Sequence, residues 1–144
     1  MKVQDVMMSP VETAAGDDSV KLAALRMRAS EVGVLPVVEQ GQVIGILTDR
    51  DITVRGTAEG KDPDRTTVRE LMTPRLIACA PDDELSDAAR LMVAHSVRRL
   101  LVLDAHGQLV GILSVDDLAV LAADEGAPDV IAPPELASPT GGPR

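Results

Sequence analysis

The sequence predicts a mixed α/β fold made of two copies of one β-α-β-β-α unit, and three observations carry that prediction. The first is an internal repeat. Displacing the chain by 65 residues brings Val3 onto Val68, Met7 onto Met72, Ala23-Ala24 onto Ala88-Ala89, Met27 onto Met92, Leu35 onto Leu100 and Val37 onto Val102. One extra residue in the turn "DAHGQ" changes the displacement to 66; Gly45-Ile46-Leu47 then meets Gly111-Ile112-Leu113, and Asp51 meets Asp117. Self-similarity in this order marks a duplicated structural unit. The second is that each half passes from a helical period to two short apolar runs around a Gly-containing turn. The third is composition: 45% hydrophobic and 26% charged residues belong to a globular protein, and with no Phe, Tyr or Trp the core is left to Val, Leu, Ile, Ala and Met.

Each unit begins with a short extended piece, "VETAA" or "LIACA". A helix follows, with Val20, Ala23, Ala24 and Met27 at i, i+3, i+4 and i+7, and Leu85, Ala88, Ala89 and Met92 as their twins. Asp17 or Asp18, and Asp82 after Pro81, are the expected helix starts. "VLPVV" with "VIGIL", and "LLVL" with "LVGIL", read as β-hairpins. Thr48 and Ser114 then open a second helix in each unit. The expected boundaries are 1–58 for the first repeat, 59–67 for a polar linker, 68–123 for the second repeat and 124–144 for a Pro-rich, disordered tail.

Several function classes are disfavoured. A net charge of −9 opposes general affinity for nucleic acid or anionic lipid. No run approaches the ~18 apolar residues of a membrane span, and "MKVQDVMMSP" lacks a signal-peptide core, so a cytoplasmic location is expected. Cys79, the single cysteine, reads as a small buried hydrophobe. His95 and His106 have no second ligand at metal-site spacing. With no nucleophile–base–acid set, no P-loop and no metal cluster, the sequence reads as a non-enzyme.

The quoted stretches "DVMMSP", "ELMTP", "GVLPVVEQGQVIGILTDRDI" and "VRRLLVLDAHGQLVGILSVDDL" resemble the CBS-domain family, named after cystathionine β-synthase, over residues 1 to about 122. "TDRDI" followed by "GTAEGKDP" looks like small single-module proteins of high-GC bacteria. The resemblance implies two CBS repeats packed about a pseudo-twofold axis as one Bateman module, with two clefts. It also implies pairing into homodimers, and binding of AMP, ADP, ATP or S-adenosylmethionine with a change of shape read by a protein partner.

Taken alone, Thr48-Asp49-Arg50-Asp51 and Ser114-Val115-Asp116-Asp117 have the spacing of capping boxes, with a hydroxyl at N-cap and an acid at N3. The same geometry offers N–H groups to a phosphate. The resemblance assigns phosphate contacts to Thr48 and Ser114, and the ribose to Asp51 and Asp117. It places adenine against Thr13, Ala14, Gly33, Val34, Leu35 and Pro36. The second unit departs from this pattern, with Arg98-Arg99 for Gly-Val and Leu101 for Pro. Strand alternation directs one of the two Arg side chains to the cleft, where it can neutralise a polyphosphate. Arg50 and Arg55 read as surface charge. Two functions fit: an adenosine-nucleotide sensor, or a ligand-free interaction module whose capping boxes are only caps.

Overall fold

Both predicted β-α-β-β-α series form, with a 3-10 helix in place of the last α-helix in the second. In a computed structural model describing residues 1–74 and 76–121, the order is β1 (Ala14–Ala15), α1 (Val20–Ser30), β2 (Val34–Glu39), β3 (Gln42–Thr48), α2 (Asp49–Asp51), α3 (Val68–Leu71), β4 (Ala78–Cys79), α4 (Leu85–His95), β5 (Arg99–Leu103) and β6 (Leu109–Ser114). Short 3-10 helices add Val3–Asp5 and Val115–Leu118, and α2 runs on as a π-helix over Ile52–Thr57. The tail expected at 124–144 lies outside the described residues.

The start of α1 lies one residue beyond the expected acids. Ser19 Oγ accepts the Leu22 amide at 3.0 Å, while the Val20 and Lys21 amides donate to the Thr66 and Pro63 carbonyls at 2.9 and 3.1 Å. Those bonds satisfy donors that a helix start leaves open. Asp18 serves the preceding turn instead, accepting the Ala15 amide at 2.9 Å and pairing with Arg26 at 2.7 Å. In the second repeat α4 starts after Glu84 and not at the expected Asp82, while Asp83 accepts the Ala80 amide at 2.9 Å. Ala24 is exposed although its twin Ala89 is buried; the buried stripe of α1 is Val20, Ala23 and Met27.

Both long helices end on a non-glycine residue in the left-handed region, Glu31 at φ 56° and Ser96 at φ 53°. Glycine takes that conformation without a Cβ penalty. Glu31→Gly and Ser96→Gly should therefore each raise stability by ~0.5–1 kcal/mol, read as a higher urea midpoint at unchanged m-value.

The strands form two three-stranded sheets, β1-β2-β3 and β4-β5-β6. In each, the short first strand lies parallel to the second and the hairpin is antiparallel. Gln40 and Gly41 both have positive φ, 51° and 78°, as a tight two-residue hairpin requires.

The segment leading into each repeat packs on the other repeat. Met8 and Ile112 exchange backbone bonds of 2.8 and 3.1 Å, and Ile46 and Thr73 exchange bonds of 2.9 and 2.8 Å. The compact units thus differ from the sequence repeats: one is Glu12–Leu76, and the other joins Met1–Val11 to the described residues from Ile77 onward. The first has Ala14, Val20, Ala23, Met27, Leu35, Val37, Leu47, Val68 and Leu71 as its core. The second buries Val3 with Leu85, Met92, Leu100, Leu113 and Leu118, among others. Cys79 belongs to this second core, and burial pushes its thiol up to about 11, an inert state for a cysteine.

The exchanged segments are locally built for their places. Glu70 accepts the Thr67 amide at 2.9 Å at the start of α3, and Asp5 accepts the Lys2 amide at 2.8 Å. Glycine lets them lie close to the sheets. A Cβ on Gly45 would stand 2.8 Å from Met72 Sδ and 2.9 Å from the Thr73 carbonyl oxygen; one on Gly111 would stand 3.1 Å from the Met8 carbonyl oxygen.

Candidate functional site

In the Glu12–Leu76 unit, Thr48 leaves β3 in extended conformation, φ −117° and ψ 163°, and turns the chain into α2. Its Oγ1 accepts the Asp51 amide at 3.1 Å, and Asp51 Oδ2 accepts the Thr48 amide at 2.9 Å. This is the reciprocal capping box that the spacing predicted. The Asp49 amide donates to the Gly33 carbonyl at 2.9 Å, tying the start of β2 to the start of α2.

Sheet register assembles the other candidates beside this cap. Val34 lies opposite Thr48, Pro36 opposite Ile46, and Ala14 beside Val37. Thr13, Ala14, Gly33, Val34, Leu35, Pro36, Thr48 and Asp51 therefore all lie on adjoining strands of one unit, or immediately before or after them. Ala14, Val34, Leu35 and Pro36 are buried, whereas Thr13, Gly33, Thr48 and Asp51 are half-buried. The Thr13 carbonyl accepts from Arg26 Nη1 at 3.2 Å. The space left by the missing side chain of Gly33 is taken by Asp49: a Cβ there would stand 2.8 Å from Asp49 Oδ2.

The corresponding candidates Arg98, Arg99, Ser114 and Asp117 lie in the other unit. Asp117 Oδ2 accepts both the Ser114 amide, at 2.8 Å, and the Ser114 hydroxyl, at 3.3 Å. The Val115 amide donates to the Arg98 carbonyl at 2.9 Å. Thus the Gly33 carbonyl pairs with the Asp49 amide in one unit, and the Arg98 carbonyl with the Val115 amide in the other. Arg99 lies directly opposite Ser114 in the ladder, so its Cβ shares the Ser114 face. Arg98 and Arg99 are both half-buried.

Thr73 and Asp49 escaped the sequence reading, and Arg55, read there as surface charge, makes specific backbone contacts. Thr73 Oγ1 lies 3.5 Å from Asp51 Oδ1. Arg55, though exposed, donates from Nη1 to the Leu71 and Met72 carbonyls, both at 3.1 Å. Asp49 lies over Gly33. The repeat alignment sets Thr73 against Met8 and Arg55 against Leu121, which shows where the copies differ; it does not show that "ELMTP" returns to the first repeat. The π-helix has a local cause. Ile52, Thr53, Val54 and Gly56 are poor helix formers, and Thr53 Oγ1 bonds back to the Asp49 carbonyl at 3.1 Å.

No helix among the described residues is long and apolar enough to cross a membrane, and among them no group of three or more His, Cys, Asp or Glu is placed to hold a metal ion.

Two small α/β units, each closing its hairpin with a hydroxyl–carboxylate cap, define a tandem-repeat module. The family model for the CBS domain matches residues 3–55 and again 68–124, and the chain belongs to the CBS-domain family. It is 44% identical over 118 residues to the CBS domain-containing protein YhcV of Bacillus subtilis, covering 82% of this chain and 83% of that one. A putative signal-transduction protein with CBS domains from Burkholderia ambifaria is similar in structure, with a TM-score of 0.76 at 28% identity, covering 87% of this chain and 96% of that one. The CBS domain pair of protein MJ0100, solved in complex with 5'-methylthioadenosine and S-adenosyl-L-methionine, gives a TM-score of 0.75 at 27% identity, covering 85% of this chain and 96% of that one.

Proposed function

We propose that this protein is a regulatory module that binds an adenosine nucleotide, or S-adenosylmethionine, at the Thr48–Asp51 cap of the Glu12–Leu76 unit. The observation that carries this reading is the unspent hydrogen-bonding capacity of the cap. Thr48 Oγ1 accepts from Asp51, which leaves its O–H to donate to a phosphate oxygen. A carboxylate has about four lone-pair positions; Asp51 Oδ2 uses one on the Thr48 amide, and both oxygens retain room for two ribose hydroxyls. Thr13, Ala14 and the Gly33–Pro36 segment supply the aliphatic wall that an adenine needs in a protein without aromatic residues. The adenosine ligands of the MJ0100 domain pair support the same ligand class.

The Ser114–Asp117 cap is the weaker candidate. There the hydroxyl is turned onto the carboxylate itself, so donor and acceptor occupy each other. Arg99, on the Ser114 face, supplies positive charge for a phosphate. A ligand with different affinity for two conformations shifts their populations, and a protein partner or a second copy of the chain reads the result. The second reading, a ligand-free interaction module, is favoured by one observation: both caps already satisfy their helix starts.

Thermal unfolding followed by circular dichroism separates the two. The panel is AMP, ADP, ATP and S-adenosylmethionine, against wild type, Asp51→Asn and Asp51→Ala. A ligand at ~100 times its Kd adds ~2.7 kcal/mol, several degrees for a protein of this size. Asp51→Asn keeps an oxygen for the Thr48 amide, so the unliganded midpoint stays near wild type while the ligand shift disappears. Asp51→Ala loses the cap as well, a further ~0.5–2 kcal/mol. No shift with any ligand in the folded wild type supports the interaction module instead.

A further inference from the structure

We infer that Thr73 is a positioning residue for the Asp51 carboxylate and makes the Glu12–Leu76 unit the stronger of the two nucleotide sites; this rests on the ligand reading above. Asp51 Oδ2 is held by the Thr48 amide at 2.9 Å. That bond leaves the carboxylate free to swing about it. The Thr73 hydroxyl, 3.5 Å from Oδ1, stands where it limits that swing. The distance is at the outer edge of hydrogen bonding, and such contacts tighten when a ligand draws the groups together. Oδ1 is thus aimed without being saturated.

The hydroxyl is held in place from three directions. Thr73 and Ile46 exchange backbone bonds of 2.9 and 2.8 Å. Arg55, one turn beyond Asp51 on the same helical stretch, donates to the Leu71 and Met72 carbonyls at 3.1 Å each. Thr67 and Glu70 cap the start of the short α3 that precedes it. One helical segment therefore carries the carboxylate and also grips the backbone that presents the hydroxyl.

The other unit has the same backbone pair without the chemistry. Met8 exchanges bonds of 2.8 and 3.1 Å with Ile112, but a thioether cannot donate to Asp117. The counterpart of Arg55 is Leu121, buried in the core. Where the first unit has the Thr73 hydroxyl this unit has Met8, and Asp117 takes the Ser114 hydroxyl at 3.3 Å. Among the differences between the two exchanged segments, Met8 in place of Thr73 is the one that removes a donor from the carboxylate.

The test is calorimetric titration of AMP, ATP and S-adenosylmethionine, each separately, into wild type, Asp51→Asn, Thr73→Val and Thr73→Ser. Thr73→Val is isosteric and keeps every backbone bond, so its unliganded unfolding midpoint should match wild type. The expected result is a Kd for the tighter site raised roughly three- to tenfold in Thr73→Val and restored in Thr73→Ser. Unchanged affinity in Thr73→Val, with binding lost in Asp51→Asn, overturns the role of Thr73 and leaves the site standing. Equal weakening in Thr73→Val and Thr73→Ser also overturns it, since the hydroxyl is then not the agent. No binding of any of the three to wild type overturns the site and this role together.

Discussion

Leu71→Ala should destabilise the protein by ~2–5 kcal/mol, and the loss should appear in strands β2 and β3, which belong to the other sequence repeat. Leu71 is 2% exposed and packs in one core with Ala14, Val20, Leu35, Val37 and Leu47. Truncation removes three carbons from a site whose walls are strands and α1, which collapse little around a cavity. Native-state hydrogen exchange locates the damage, because elements open separately when their own contacts weaken. Faster exchange at Leu35, Val37 and Leu47, with β5 and β6 unaffected, is the expected pattern. Faster exchange confined to β5 and β6 would place Leu71 with its own repeat and refute the segment exchange. Val3→Ala is the converse experiment, since Val3 lies with Leu85, Leu100 and Leu113.

Gly45→Ala is the second large effect, at ~1–3 kcal/mol. The new methyl meets Met72 Sδ at 2.8 Å and the Thr73 carbonyl oxygen at 2.9 Å. The methionine can move. The carbonyl cannot retreat without straining its 2.9 Å bond to the Ile46 amide. The same displacement carries the Thr73 side chain from Asp51, so the variant should also bind nucleotide more weakly. Gly41→Asn, in the hairpin turn where a Cβ meets nothing within 4 Å, should change the unfolding midpoint little because Asn tolerates positive φ. A Gly45→Ala protein as stable as wild type would contradict the close approach.

The sequence carried the parts whose cause is local. Val20, Ala23 and Met27 fall on a helical stripe, and the apolar runs on either side of "EQGQ" flank a turn with two left-handed residues. The Thr48 cap follows from a hydroxyl and an acid three residues apart, and its bonds form as the spacing implies. The start of α1 was less legible, since Asp17, Asp18 and Ser19 are all competent caps and the choice is made by Asp18 bonding to Ala15 and Arg26. The segment exchange leaves no local trace. "DVMMSP" and "ELMTP" each precede a repeat, and nothing in their periodicity says which sheet they cross. Thr73 was missed for that reason; its partner Asp51 is 22 residues away.

The most direct test of the central claim is amide chemical-shift mapping of the labelled protein titrated in turn with AMP, ATP and S-adenosylmethionine. Shifts that saturate with one of these ligands, and concentrate at Thr13, Ala14, Gly33, Val34, Leu35, Thr48 and Asp51, are the predicted result. Saturating shifts that avoid these residues, or none with any of the three ligands, would contradict nucleotide binding at the Thr48–Asp51 cap.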